Sequence, residues 1–189
     1  CYLIELGELT PKSPDYIAGH TSQQTHDDIA ELLERLRRRP EIEAVSLSQN
    51  SYPYNGSNSG AEVSYDTLRS PGWTIRRLVT PDFPRVFRYR GTRGETPEQL
   101  AEMLERGEFM ASDNLYRKYD RRMTDLVGQR FYLFGDTTKT YRLGAALQNV
   151  RYHDYDQARS SYSMMVKQSF YYMPVQVGAA LNDKFGAAC

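Results

Sequence analysis

His20, His26 and His153 are the residues best suited to acid, base or metal chemistry, and only His153 stands among carboxylates, beside Asp154 and near Asp156. Adjacent residues on an extended segment point in alternating directions, so this run does not gather its groups around one proton or one ion. It reads as surface polar residues. A hydrolase would need a Ser or Asp paired with His153 in a concave pocket, and no phosphate-binding loop, dinucleotide fingerprint, HExxH or GxSxG run supplies one. Gly56-Ser57-Asn58-Ser59-Gly60 has Asn where the last motif needs Ser, and reads as a loop. Asp27 with Asp28, and Glu102 with Glu105, fall at a helix start or on a helix face, where dipole and solvation account for them better than glycosidase geometry. Cys1 and Cys189 stand at the two ends and form neither a CxxC pair nor most of a zinc site; they are either unpaired or joined end to end. No catalytic residue, metal ligand or cofactor site is assigned.

Lys plus Arg and Asp plus Glu both total 24, so no whole-molecule field draws nucleic acid or an anionic membrane. At 189 residues the chain is long enough for a core of its own, and no apolar stretch approaches the roughly 20 residues that span a bilayer. Beginning at Cys1 rather than Met, and without a signal-peptide pattern, it reads as a fragment. Fifteen tyrosines and the single Trp73 are the compositional oddity. Tyrosine suits surfaces where one end of the ring is buried and the other wet, so Tyr52, Tyr54 and Trp73 are candidate contacts to a partner or a sugar. Ser163-Met164-Met165 and Tyr171-Tyr172-Met173 read either as core filler or as an adaptable apolar surface.

These residues must be positioned by an α+β framework. Tyr2 to Leu9 reads as a strand. Ile29, Leu32, Leu33 and Leu36 then make one helical stripe from Thr25, with Arg37 to Arg39 at the negative helix end and Pro40 as the stop. Ile42 to Ser48 completes a β-α-β unit. Residues 49–60, rich in Asn, Ser and Gly, mark the internal boundary, dividing a first lobe at 1–48 from a second at 49–189. In the second, strands are expected at Ala61 to Tyr65 and Trp73 to Val79. A short helix opens at Thr80-Pro81-Asp82-Phe83 with Pro81 first, and a second opens at Thr96-Pro97-Glu98-Gln99. Phe109 to Ala111 reads as a strand, Ser112 as the cap of a helix through Tyr119, and Arg130 to Phe134 with Thr140 to Val150 as a hairpin turning at Gly135-Asp136-Thr137-Thr138. Phe170 to Met173 is one more strand.

Residues 76–155 carry an ordered series: RRLVTPDFPRVFRYRGTRG, EFMASDNLYRKY, DLVGQRF and YRLGAALQNVRYHDY. The series resembles the extracytoplasmic core domain of MacB/FtsX-type ABC transporter permeases, in which a "V-S/T-P-D-F-F-x-V-F" turn and helix precedes a Gly-rich segment, a "V-I-S-E" strand, a "G-K/Q" turn and a strand ending "V-V-G-V-V-x-D-V-R". The matching positions are Val79, Thr80, Pro81, Asp82, Phe83, Val86, Phe87, Gly94, Ser112, Gly128, Gly144, Val150 and Arg151. Pro84, Asp113 and the GAAL run depart from the pattern. The resemblance implies a small β-α-β, porter-like lobe, here without its returning half, and a second, Sabre-like mixed lobe. Pro81, Asp82, Phe83, Phe87 and Gly128 take structural roles. It also implies a non-catalytic domain on the periplasmic side of a bacterial inner membrane, in a dimeric permease that works with a separate ABC ATPase and a periplasmic adaptor or substrate. The alternative from the residues alone is a free periplasmic or secreted module that binds carbohydrate or peptide.

Overall fold

The computed structural model describes residues 2–5, 31–48, 60–71, 74–148, 163–167 and 176–181. Its strands are β1 (Tyr2–Glu5), β2 (Ile42–Ser48), β3 (Val63–Tyr65), β4 (Leu68–Arg69), β5 (Ile75–Val79), β6 (Phe109–Ser112), β7 (Arg130–Leu133), β8 (Asp136–Leu147), β9 (Ser163–Lys167) and β10 (Gln176–Leu181). Helices are α1 over residues 31–37, α2 (Phe83–Val86) and α3 (Pro97–Glu105), with 3-10 turns at Arg117–Tyr119 and Met123–Leu126. The fold is mixed α+β. The strands lie in the order β1-β10-β2-β5-β9-β6-β8-β7-β3-β4. Most neighbours are antiparallel; β5 with β9 and β6 with β8 are parallel.

β1 and β2 both run antiparallel to β10, so they are parallel to each other with a strand from the far end of the sequence between them. The β-α-β unit read from the first fifty residues is therefore split. Leu33 of α1 is buried against Val45 and Leu47, flanked by Leu32 and Leu36, which realises that part of the helical stripe; Ile29 and the helix start at Thr25 lie outside the described residues.

β8 changes partners along its length. Its second half pairs with β6, while its first half pairs with β7 and extends a smaller sheet through β3 to β4. The central strands β5, β9 and β6 and the second half of β8 are buried on both faces. On one side Met110, Ala145 and Met165 pack beneath Leu100 and Leu104 of α3 and Phe83 of α2. On the other, Ala111, Ala146 and Met164 pack beneath Phe131, Leu133, Tyr116 and Met123. Met164 and Met165 thus serve as core filler. Thr96 and Gln99 cap α3 reciprocally, as their spacing predicts.

Three local expectations are corrected. Pro81 does not begin α2: Asp82 is its N-cap and Pro84 sits in its first turn. The Thr80 carbonyl already accepts the Phe83 N–H at 3.0 Å, which makes residues 80–83 a turn leading into the helix. Ser112 does not cap an α-helix through Tyr119; turns and the short 3-10 segment follow it. The hairpin turns at Phe134-Gly135, not at Gly135 to Thr138, because Leu133 pairs with Asp136. Both loop residues have positive φ, 63° and 74°, the backbone hand that a two-residue hairpin needs. Asp136 then starts a bulge, its Oδ1 accepting the Thr138 N–H and hydroxyl at 2.8 and 2.6 Å. Three strands have no counterpart in the sequence reading, the two-residue β4 and the longer β9 and β10. β9 is Met-rich and β10 is a Gln-Val-Gly-Ala-Ala-Leu run, both poor in strand formers. Their places are set by neighbours remote in sequence.

Candidate functional site

The residues singled out for contact, Tyr52, Tyr54 and Trp73, lie outside the described residues, as do His20, His26, His153, Cys1, Cys189 and the strand read at 170–173. Among the described residues no cluster of His, Cys, Asp or Glu could hold a metal ion, and no helix is long and apolar enough to cross a membrane. Of the motif residues, Pro81, Asp82, Phe83 and Phe87 gather at one corner. Gly128 is remote from it, at the turn into β7, where its φ is 95° and its N–H donates to the Leu143 carbonyl at 2.8 Å.

The corner is where the split β-α-β unit meets the larger body. β2 and β5 share one paired position, Ser48 with Val79, and Thr80 prolongs that ladder with its side chain. Its N–H donates to the Leu47 carbonyl at 2.9 Å, and its Oγ1 accepts the Leu47 N–H at 2.9 Å. The turn then carries α2 back across β2, where Ala44 and Val86 are buried with Phe87 against them. Phe83 fills the space beneath, its ring centroid 4.5 Å from that of Phe87 and 5.7 Å from that of Tyr89. Asp82 faces Arg85 at 3.2 Å and Arg37 of α1 at 4.0 Å. These ion pairs are half exposed and contribute little. The apolar contact and the Thr80 clamp hold the junction.

A second node lies at the ends of β6 and β8. Asp113 Oδ1 accepts the Thr124 N–H at 2.9 Å and the Thr124 hydroxyl at 2.7 Å, while Oδ2 accepts Arg122 Nε at 2.8 Å. Thr124 Oγ1 lies 2.6 Å from Thr92 Oγ1, and Arg93 donates to the Thr124 carbonyl at 2.6 Å. Burial pushes the Asp113 carboxyl up, but the Thr124 donors and Arg122 outweigh it and leave it below the usual aspartate range. Both oxygens being occupied by donors, Asp113 fastens three loops together and is a poor base. A lowered folded-state pKa contributes stability that is present above the ordinary aspartate value and lost as pH falls through the folded one. Asp113→Asn is therefore expected to melt lower at neutral pH and to show a shallower fall in Tm between about pH 5 and 3 than the parent protein, followed by circular dichroism. Parallel pH profiles would remove this role.

A third arrangement was not read from the sequence beforehand. Glu108 is buried between Arg142 and Arg106, and a Cβ at Gly144 would come within 2.6 Å of its Oε2. Gly144 leaves the room that this carboxylate occupies.

No family model matches the chain, and neither does any curated protein. Among solved structures it is similar to the crystal structure of the periplasmic region of MacB from Actinobacillus actinomycetemcomitans. The chain shares that fold. The TM-score is 0.53 at 6% sequence identity, over 84% of this chain and 66% of that one, so the chain spans just under two thirds of the MacB region's length. At this identity the likeness concerns the arrangement of the backbone.

Proposed function

We propose that this chain is the extracytoplasmic domain of an ABC-type transporter permease, standing on the periplasmic side of a bacterial inner membrane. It engages a periplasmic adaptor or substrate and passes on motion generated by a separate ATPase, within a dimeric permease, and performs no catalysis itself. The observation that carries this reading is the shared fold with the MacB periplasmic region. The ordered motif series of residues 76–155 supports it independently.

The junction suits the role. A transmitting domain needs two bodies that are stiff inside and meet over a small area, so that displacement of one turns the other without unfolding either. Among the described residues the meeting surface comprises one ladder position, the Thr80 clamp and the packing of α2 on β2 and β10. Export of antibiotics, peptides or lipoproteins, and activation of cell-wall hydrolases, are the tasks such a domain would serve.

The test uses cells that produce the whole protein. It is expected to sediment with membranes, its reading frame is expected to carry spans of about 20 apolar residues on both sides of this region, and protease added to spheroplasts is expected to digest the region. Recovery in a soluble periplasmic extract, with a cleaved signal peptide and no span, would overturn the proposal in favour of a free binding module.

A further inference from the structure

The smaller sheet formed by β7, β3, β4 and the first half of β8 buries one face, through Val63, Phe131 and Leu133. Its other face carries Arg130 and Tyr132 on β7, with Arg142 and Thr140 opposite them on β8. Arg69 on β4 lies across from Ser64, which in turn pairs with Tyr132. Tyr132 is 37% exposed, and Arg69, Arg130 and Arg142 are exposed as well.

The charges on this face do not balance. Arg69 pairs with Glu62, and Arg142 pairs with Glu108, a carboxylate it shares with Arg106 at the end of α3. Arg130 has no carboxylate within ion-pair distance among the described residues, and its guanidinium reaches the Thr140 hydroxyl at 3.3 Å. It also stands directly across the ladder from Arg142. Like charges at directly opposed positions are destabilising, and an ordinary solvated strand face mixes its signs. Exposed tyrosine beside arginine is the pairing that protein interfaces favour.

The geometry points to this face as a docking surface for a protein segment that presents carboxylates. A carboxylate between Arg130 and Arg142 would relieve their repulsion, while the Tyr132 ring supplies apolar contact beside it. The surface is separate from the Thr80 junction, and the inference does not depend on the transporter reading.

The test titrates the full chain into fluorescein-labelled oligoglutamate at low ionic strength and follows fluorescence anisotropy. Saturable binding is expected, weakened roughly fivefold by Arg130→Gln, the effect of losing one exposed charge pair. Arg90→Gln, which removes the same charge from the arginine-rich segment after α2, is expected to leave binding unchanged. Arg130→Gln is also expected to keep or raise the Tm, because it removes a repulsion, and this separates lost binding from lost fold. No saturable binding, or equal weakening by Arg90→Gln, would overturn the inference. So would binding to phosphatidylglycerol vesicles with none to oligoglutamate, which would assign the face to lipid headgroups.

Discussion

Phe83→Ala is expected to lower the free energy of unfolding by about 3 to 5 kcal/mol, the range for removing a fully buried aromatic ring. Phe83 is completely buried, and its ring lies among Leu100 and Leu104 of α3, Met165 of β9 and the neighbouring ring of Phe87. α2 has only four residues and Asp82 makes no side-chain cap, so the helix has little stability of its own to offset the loss. The cavity would open beneath α2, beside Leu100, Leu104 and Met165, and the contact of Val86 with Ala44 on the other side of that helix would loosen with it. Urea unfolding measures the effect. Phe83→Leu, which keeps most of the volume, is expected to cost less than half as much, and a loss below about 1 kcal/mol for the alanine variant would show that the corner is not packed as described.

Gly144→Val is expected to be the next most damaging change, at about 1 to 3 kcal/mol for forcing atoms into a filled space. A Cβ there would stand 2.6 Å from Glu108 Oε2, 3.1 Å from Glu108 Cβ and 3.3 Å from Met103 Cβ. Swinging Glu108 aside would give up its ion pairs with Arg142 and Arg106, leaving Arg142 opposite Arg130 without a compensating charge. Adding Glu108→Ala to Gly144→Val is expected to recover part of the lost stability, because it clears the space while still sacrificing the ion pairs. Additive losses in the double variant, read from thermal melts, would mean that the two positions do not compete for the same room.

The elements legible in the sequence are those whose information is local. The α3 capping box is written in four consecutive residues, and its buried stripe in Leu100 and Leu104. β2 is a compact run between Pro40 and a stretch of sequence rich in Asn, Ser and Gly. The β3–β4 hairpin carried a local signal that went unread, Asp66 at φ 52°, since aspartate tolerates the left-handed region better than most residues. Phe134 holds the same region at φ 63° without any preference for it, and the turn closed by Leu133 and Asp136 lies two positions before the expected one. What was not legible depends on distant partners. Ser112 reads as a helix cap only if nothing further along competes, whereas Asp113 receives Thr124 and Arg122 and pulls the chain into turns. The resemblance marked Thr80 and Gly144 as positions; their reasons, the Leu47 backbone and the Glu108 carboxylate, lie 33 and 36 residues away in the chain.

Because Tyr2 stands opposite Ala179 in the antiparallel pair of β1 and β10, the chain enters the first strand and leaves the last on the same side of the sheet. Loads applied there act differently according to direction. Drawn apart, the two ends would unzip the β1–β10 ladder one hydrogen bond at a time, because those bonds lie across the strands and the force falls on the outermost first. Pushed or tilted together, they load both ladders of β10 at once, and the displacement arrives at β2 and the Thr80 clamp undivided. The sheet edge is thus expected to yield to a pull that separates its two ends and to resist one that they share.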